Sequence, residues 1–357
     1  MTFIPPLQNV PSKNTHAFWK KLKGIKDSPK GAGLTDNRFA RALILKDLYK
    51  TKVILLLKKG MSFPNVLRYQ FPHEMPVASL PPSLHLEFTN ICNLACTYCN
   101  TNMNLRSKGF LNESTFKRIV EEIQINAIKR VYIVGNGEPT LHPEFCDYIE
   151  RLGNVTNILS LTTNLQKINR EAAISIVRSV NLLNVSLDGA TPDVYEKHRV
   201  GGNFNTLIDN FHLIHKIRKE KGSKMIINAR IMVHPSDEEN LESIKAFWNQ
   251  FADIVSIQFV VDFTGSGGDV YSLKTSPERY PKCSLPFKQL NIRWNGEVPM
   301  CTYYYLQADN PDDFILGNIR DLGLKQLWSS PLIKHYREAH KKRDKKNMPL
   351  CAGCGGT

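Results

Sequence analysis

Three of the eight cysteines of this 357-residue chain fall within eight residues, in "TNICNLACTYCNTN" at 89–102: Cys92, Cys96 and Cys99. Thiolates are soft ligands, and three of them spaced C-x3-C-x2-C on one loop can face a single point. A structural zinc ion wants four protein ligands, and the nearest histidines in sequence, His85 and His142, are poorly placed to supply the fourth. A four-iron, four-sulfide cluster is served differently, since three cysteines leave one iron open to an outside ligand. Cys283, Cys301, Cys351 and Cys354 gather towards the C-terminus, enough for all four irons of a closed cluster or for one zinc ion. Cys146 stands alone and reads as a small hydrophobe on a packed helix face. Clustered cysteines of this kind speak for metal or cluster ligation in a reducing compartment, not for a disulfide framework.

Such groups need a scaffold that brings separate loops to one rim. Six apolar runs rich in Val, Ile and Leu read as strands, at 84–89, 130–135, 157–163, 182–188, 224–233 and 254–261. Helical segments follow them: 112–125, capped by Asn112 or Ser114, then 143–152 and 170–179. A further helix from about Pro192 breaks at Gly201-Gly202 and resumes as "FNTLIDNFHLIHKIRKE", and "DEENLESIKAFWNQF" follows the fifth strand. Apolar strands alternating with helices demand a parallel sheet covered by helices. Six repeats without a seventh predict an α/β fold, a partial (β/α)6 barrel of the TIM-like kind. Reactive groups in such folds sit at the C-terminal strand ends, and the three-cysteine stretch directly follows strand one. By strand parity alone, Glu87, Asn228, Arg230, Gln258 and Asp262 are inward polar residues that could act as a base, with Glu87, Arg230 and Asp262 carried forward as catalytic candidates.

The cysteine spacing, with Tyr98 just before the last cysteine, resembles the signature of the radical SAM superfamily. "VGNGEPTLHP" after strand two resembles that family's GGEP motif, with Asn136 where Gly is usual. The resemblance implies that Gly137 and Glu138 hold the amino group of S-adenosylmethionine (SAM). "TTN" at 162–164 and "SLDG" at 186–189 resemble its ribose and carboxylate contacts, giving Thr163, Asn164 and Ser186, and "YEKHRVGGNF" gives Arg199 beside the carboxylate. The family's chemistry is one-electron cleavage of SAM to a 5′-deoxyadenosyl radical that takes hydrogen from an unactivated carbon. Cys283, Gly296 with Cys301, "LGNIRDLGLKQLWSS" and "CAGC" resemble a SPASM/twitch extension carrying one auxiliary 4Fe–4S cluster. The expected division is a basic, partly helical segment and linker at 1–83, a radical SAM barrel at 84–262 and an auxiliary iron–sulfur domain at 263–357. Within the last, Asn295-Gly296 predicts a hairpin of two short strands.

A closed auxiliary cluster suits an electron acceptor. The first expectation is therefore oxidation of a sugar, aminocyclitol or related small molecule; epimerisation and peptide maturation are the alternatives. An electron donor such as flavodoxin or ferredoxin is implied. The net charge of +14 sits mostly in residues 1–80, where fourteen Lys/Arg face four Asp/Glu, and in the run 334–346. A basic N-terminus suits a phosphorylated or nucleotide-linked substrate, and it lacks the hairpins of a leader-gripping winged helix. A solvated helix face is the plainer reading of such charge. A zinc protein using its basic ends on nucleic acid is the reading from another class, and no nucleic-acid partner is expected. No apolar run reaches membrane-spanning length, and the N-terminus does not read as a secretory signal, so a cytoplasmic protein is expected.

Overall fold

The computed structural model describes residues 73, 76–99, 106–262, 271–272, 283–301, 311–344, 347–348 and 351, without the side chains of 237–239, 261–262, 271–272 and 311–312. Most of the basic, partly helical segment expected at 1–83, all of 263–270 at the start of the expected auxiliary domain, and Cys354 lie outside these residues. Residues from Leu67 onward form one compact unit.

Strands and helices alternate as the apolar periods require. In order they are β1 (Leu84–Leu86), α1 (Glu113–Ile125), β2 (Arg130–Ile133), α2 (Phe145–Val155), β3 (Ile158–Thr163), α3 (Arg170–Ser179), β4 (Leu182–Asp188) and α4 (Pro192–His198). Then come α5 (Phe204–Glu220), β5 (Ile226–Val233), α6 (Leu241–Trp248), β6 (Ile254–Phe259) and the short strands β7 (Val261–Asp262) and β8 (Tyr271–Ser272). Asparagine opens three of the helices: the side chains of Asn112, Asn169 and Asn203 accept from Thr115, Ala172 and Thr206 amides. Of the two caps considered for α1, Asn112 is the one used.

The last stretch supplies α7 (Leu285–Lys288), β9 (Leu290–Ile292), β10 (Glu297–Pro299), β11 (Ile315–Asn318), α8 (Leu324–Trp328) and α9 (Pro331–Lys342). The main sheet has seven strands in the order β6-β5-β4-β3-β2-β1-β9, every pair parallel. The missing seventh strand thus comes from the C-terminal extension. This corrects the hairpin expectation. The Asn295-Gly296 turn forms, with Gly296 at φ +82 and Arg293 N–H donating to Glu297 O, but its two arms part company. β9 pairs with β1 and β10 pairs antiparallel with β11. Leu290 and Ile292 sit opposite Leu84 and Leu86, all four buried, so joining β1 both satisfies an open strand edge and extends the apolar face.

The face of β5 that carries Ile227, Ala229, Ile231 and Val233 is buried under helices, while Asn228, Arg230 and Met232 take the less covered inner face. Register places Asn184, Ser186 and Asp188 of β4 beside those three. Inside the curve of the sheet a polar ladder crosses four strands: Asn184 donates to Ser160, Asn228 to Asn184 and Ser256 to Asn228, at 2.9–3.0 Å. The extension is fastened elsewhere too. Leu324 N–H at the start of α8 donates to the buried Glu122 carboxylate on α1 at 2.9 Å. Arg337 on α9 lies over the Trp328 ring and donates to Pro286 and Trp328 carbonyls. The basic run there is accordingly not all solvated: Arg337 and His340 are buried.

Candidate active site and second cysteine cluster

The loop after β1 is held from three sides. Its base is closed where Thr89 Oγ1 donates to Gly109 O at 2.7 Å and the Asn90 side chain bridges Ser107 and Gly109. Its far side is tied to the segment after α4, where Ala95 and Thr97 amides donate to Val200 and His198 carbonyls. Its near side meets the turn after β2, where Glu138 N–H donates to Ile91 O and a Cβ on Gly137 would collide with Thr89 and Ile91 backbone. Only glycine allows that approach. Burial pushes the Cys96 thiol up to about 12, with Cys99, Asp188 and Cys92 adding to the effect and Arg199 opposing it. Cys92 is raised as well, burial leading and its contact with Leu94 N–H opposing.

Glu138 is buried, and its carboxylate is filled with donors. One oxygen accepts from Thr140 N–H, Thr140 Oγ1 and Thr163 Oγ1, the last at 2.7 Å; the other accepts from Asn164 N–H at 2.7 Å. It therefore clips the end of β3 to the turn after β2. Asn164 reaches onward, its Nδ2 3.0 Å from Asn93 Oδ1 and 3.9 Å from Cys92 Sγ. Glu87 pairs with Arg106 at 3.3 Å and accepts from Asn136 N–H, so both of its oxygens are engaged. Asn228 belongs to the polar ladder, Arg230 donates to Gln258 at 2.9 Å, and the Asp262 side chain is not among those described.

At the end of β4 lies a cluster of buried Asp188, Arg199 and His234 with half-buried Tyr98, which the sequence motifs only touched. Asp188, fully buried, pairs with Arg199 Nε, accepts from Tyr98 Oη at 2.8 Å and lies 3.3 Å from His234 Nε2. Arg199 Nη2 also donates to Tyr98 Oη at 2.8 Å, and its Nη1 is 4.0 Å from Cys96 Sγ. His198 stacks on His234 with ring centroids 3.6 Å apart. Burial alone would push the Asp188 carboxyl up; the Arg199 charge and the His234 and Tyr98 hydrogen bonds outweigh it and hold it below its ordinary value. Ser186 is half-buried on the inner face, opposite Arg230.

Around α9 two of the distal cysteines meet a histidine. His340 Nδ1 lies 3.4 Å from Cys283 N, and its Nε2 lies 3.7 Å from Cys351 Sγ. His73 Nε2 lies 2.9 Å from Cys283 O. Cys301 is half-buried against the same core. Cys146 is half-buried on α2, its thiol raised chiefly by burial and close to Ser175, as a small packing residue would be.

Comparison with known proteins decides what these loops are. Residues 86–247 match the radical SAM superfamily model, and residues 283–355 match an iron–sulfur cluster-binding domain, SPASM. The chain carries a radical SAM domain followed by a SPASM domain. The mycofactocin maturase MftC of Mycobacterium ulcerans is 32% identical over 136 residues, 38% of this chain and 36% of that protein. The cysteine-type anaerobic sulfatase-maturating enzyme of Clostridium novyi is 22% identical over 74% of this chain and 84% of its own length. Among solved structures, Streptococcus suis SuiB bound to precursor peptide SuiA superposes with a TM-score of 0.60 at 16% identity, over 92% of this chain and 81% of that one, a likeness of fold.

The radical SAM domain accounts for the electrostatics of the first cysteine loop. Two of its half-buried thiols, Cys92 and Cys96, resist ionisation beside one guanidinium; to bind as thiolates they need further positive charge, which the iron of a cluster would bring. Among the described residues no three His, Cys, Asp or Glu side chains come close enough to hold a metal ion, the three loop cysteines included. His142 is also occupied: Nε2 meets Leu111 O at 2.8 Å and Nδ1 accepts from Glu144 N–H. Of the SAM contacts implied by resemblance, Tyr98, Glu138, Asn164 and Arg199 lie around the cysteine loop, while Thr163 reaches it through Glu138. Asp188, His198, His234 and His340 were not singled out by sequence reading. Asp188 had a signal, a carboxylate closing β4 within the quoted "SLDG" stretch. Among the described residues no helix is long and apolar enough to cross a membrane.

Proposed function

We propose that this radical SAM protein matures a peptide, abstracting hydrogen from a side chain or backbone carbon and passing the remaining electron to the SPASM cluster. The observation that carries this reading is the match to a sulfatase-maturating enzyme over 74% of this chain and 84% of that relative. A second relative named as a maturase and a fold neighbour solved with its precursor peptide support it. The sugar or aminocyclitol oxidation expected first has no counterpart among these three. Flavodoxin or ferredoxin as electron donor, and domain limits at 84–262 and 263–357, are retained as parts of the proposal.

When bound, the two clusters and SAM supply reductive sulfonium cleavage and an electron acceptor. The chain's own residues do the positioning. Glu138 and Asn164 fix the rim beside Cys92, Arg199 places positive charge at Cys96, and Tyr98 and Asp188 hold that arginine. Ser186 and Arg230 face one another on the inner surface, where SAM ribose or substrate would pass.

The test is label transfer. Anaerobically reconstituted protein is given SAM, dithionite and either a deuterated cellular peptide fraction or a deuterated small-molecule fraction. Deuterium in 5′-deoxyadenosine from the peptides, absent in the Cys92→Ala/Cys96→Ala/Cys99→Ala variant, supports the maturase. Label only from the small molecules overturns it.

A further inference from the structure

His340 occupies a position that neither the motif set nor the cluster ligands require. It lies on α9, 1% exposed, between two distal cysteines that are far apart in sequence. A backbone amide can only donate, so the contact between Cys283 N–H and His340 Nδ1 makes Nδ1 an acceptor. The ring hydrogen then resides on Nε2, the atom facing Cys351 Sγ at 3.7 Å. The same cysteine backbone is gripped from its carbonyl by His73, which fixes the geometry from the other side.

We propose that His340 is a positioning residue whose Nε2–H hydrogen-bonds to Cys351 Sγ and thereby raises the reduction potential of the SPASM cluster. Donation to a ligating sulfur withdraws electron density from it and favours the more negatively charged, reduced cluster. A cluster tuned this way takes an electron from a substrate radical more readily. The inference rests on the proposed acceptor role of that cluster, but its test involves no substrate.

The experiment uses the full chain carrying Cys92→Ala/Cys96→Ala/Cys99→Ala, reconstituted with iron and sulfide so that one cluster remains. Redox titration followed by electron paramagnetic resonance gives its midpoint potential with His340, with His340→Phe and with His340→Gln. We expect His340→Phe to retain about four irons per chain and to titrate at a more negative potential. His340→Gln, which keeps an N–H donor, should recover part of the shift. His340→Leu replaces the phenylalanine variant if the larger ring prevents folding. Equal potentials in all variants overturn the inference. So does loss of iron from both donor-free variants, which would make His340 a ligand or a prop. An iron-free parent would remove the cluster itself. Failure to modify peptides leaves this result untouched, so the two proposals fail separately.

Discussion

The Tyr98 hydroxyl donates to Asp188 Oδ2 across 2.8 Å, so a residue lying between two cluster cysteines is bonded to the end of β4. Asp188 also neutralises the buried Arg199. Asp188→Asn is expected to cost about 3–5 kcal/mol, because it leaves a buried guanidinium without its countercharge. Tyr98→Phe removes the hydrogen bond to Asp188 and the one that Tyr98 Oη accepts from Arg199, and should cost about 1.5–3 kcal/mol. Urea unfolding under anaerobic conditions reads both. Losses of equal size would mean that Arg199 finds its compensation elsewhere.

Gly137→Ala drives a methyl group into the Thr89 and Ile91 backbone, which no side-chain adjustment relieves. The expected result is selective loss of the first cluster. Reconstituted protein should fall from about eight to about four irons per chain, matching Cys92→Ala/Cys96→Ala/Cys99→Ala. Full iron content in Gly137→Ala would show that the loop can shift without losing its grip.

Glu138 and Thr163 are expected to act as one unit, given their 2.7 Å hydrogen bond. Glu138→Gln and Thr163→Ala should each cost about 1–3 kcal/mol, and the double variant less than their sum by at least about 0.5 kcal/mol. Both should weaken SAM binding in isothermal titration. A loss confined to Glu138→Gln would instead indicate direct contact with the SAM amino group.

His142 gives a pH dependence of definite sign. Burial lowers its pKa below 6.5, with the Leu111 carbonyl and Glu144 opposing. The unfolded chain therefore takes up a proton more readily than the native state as pH falls. The contribution is present above about pH 6.5 and is lost as pH drops through the folded value. Denaturant midpoints measured from pH 7.5 to 5 should decline more steeply for the native protein than for His142→Gln. Parallel declines would refute the assignment.

The parallel sheet was legible because its strands are long apolar runs with helical spacing between them, and local asparagine caps mark the helix starts. β9 was not. Three residues carry little periodic signal, and what makes "LNI" a strand is an unpaired edge on β1, more than two hundred residues earlier. The Asn295-Gly296 turn was legible and its hairpin was wrong for the same reason: tertiary pairing outbid the local one. The cysteines declared themselves by spacing. His340 did not, because "REAHKKR" looks like a solvated basic face until α9 is packed. Asp188 was in view within "SLDG", but only the fold reveals that Arg199 returns to it.

A strand borrowed by the barrel from its own appendage makes the two halves hard to separate. A fragment ending at residue 262 would bare the flank of β1, the strand that launches the cysteine loop, and offer it to any neighbouring chain. Such a fragment should aggregate or misplace that loop. The seam also ties the first cysteine loop and the extension to one continuous lattice of backbone bonds, so their spacing is set by masonry instead of by a swinging tether.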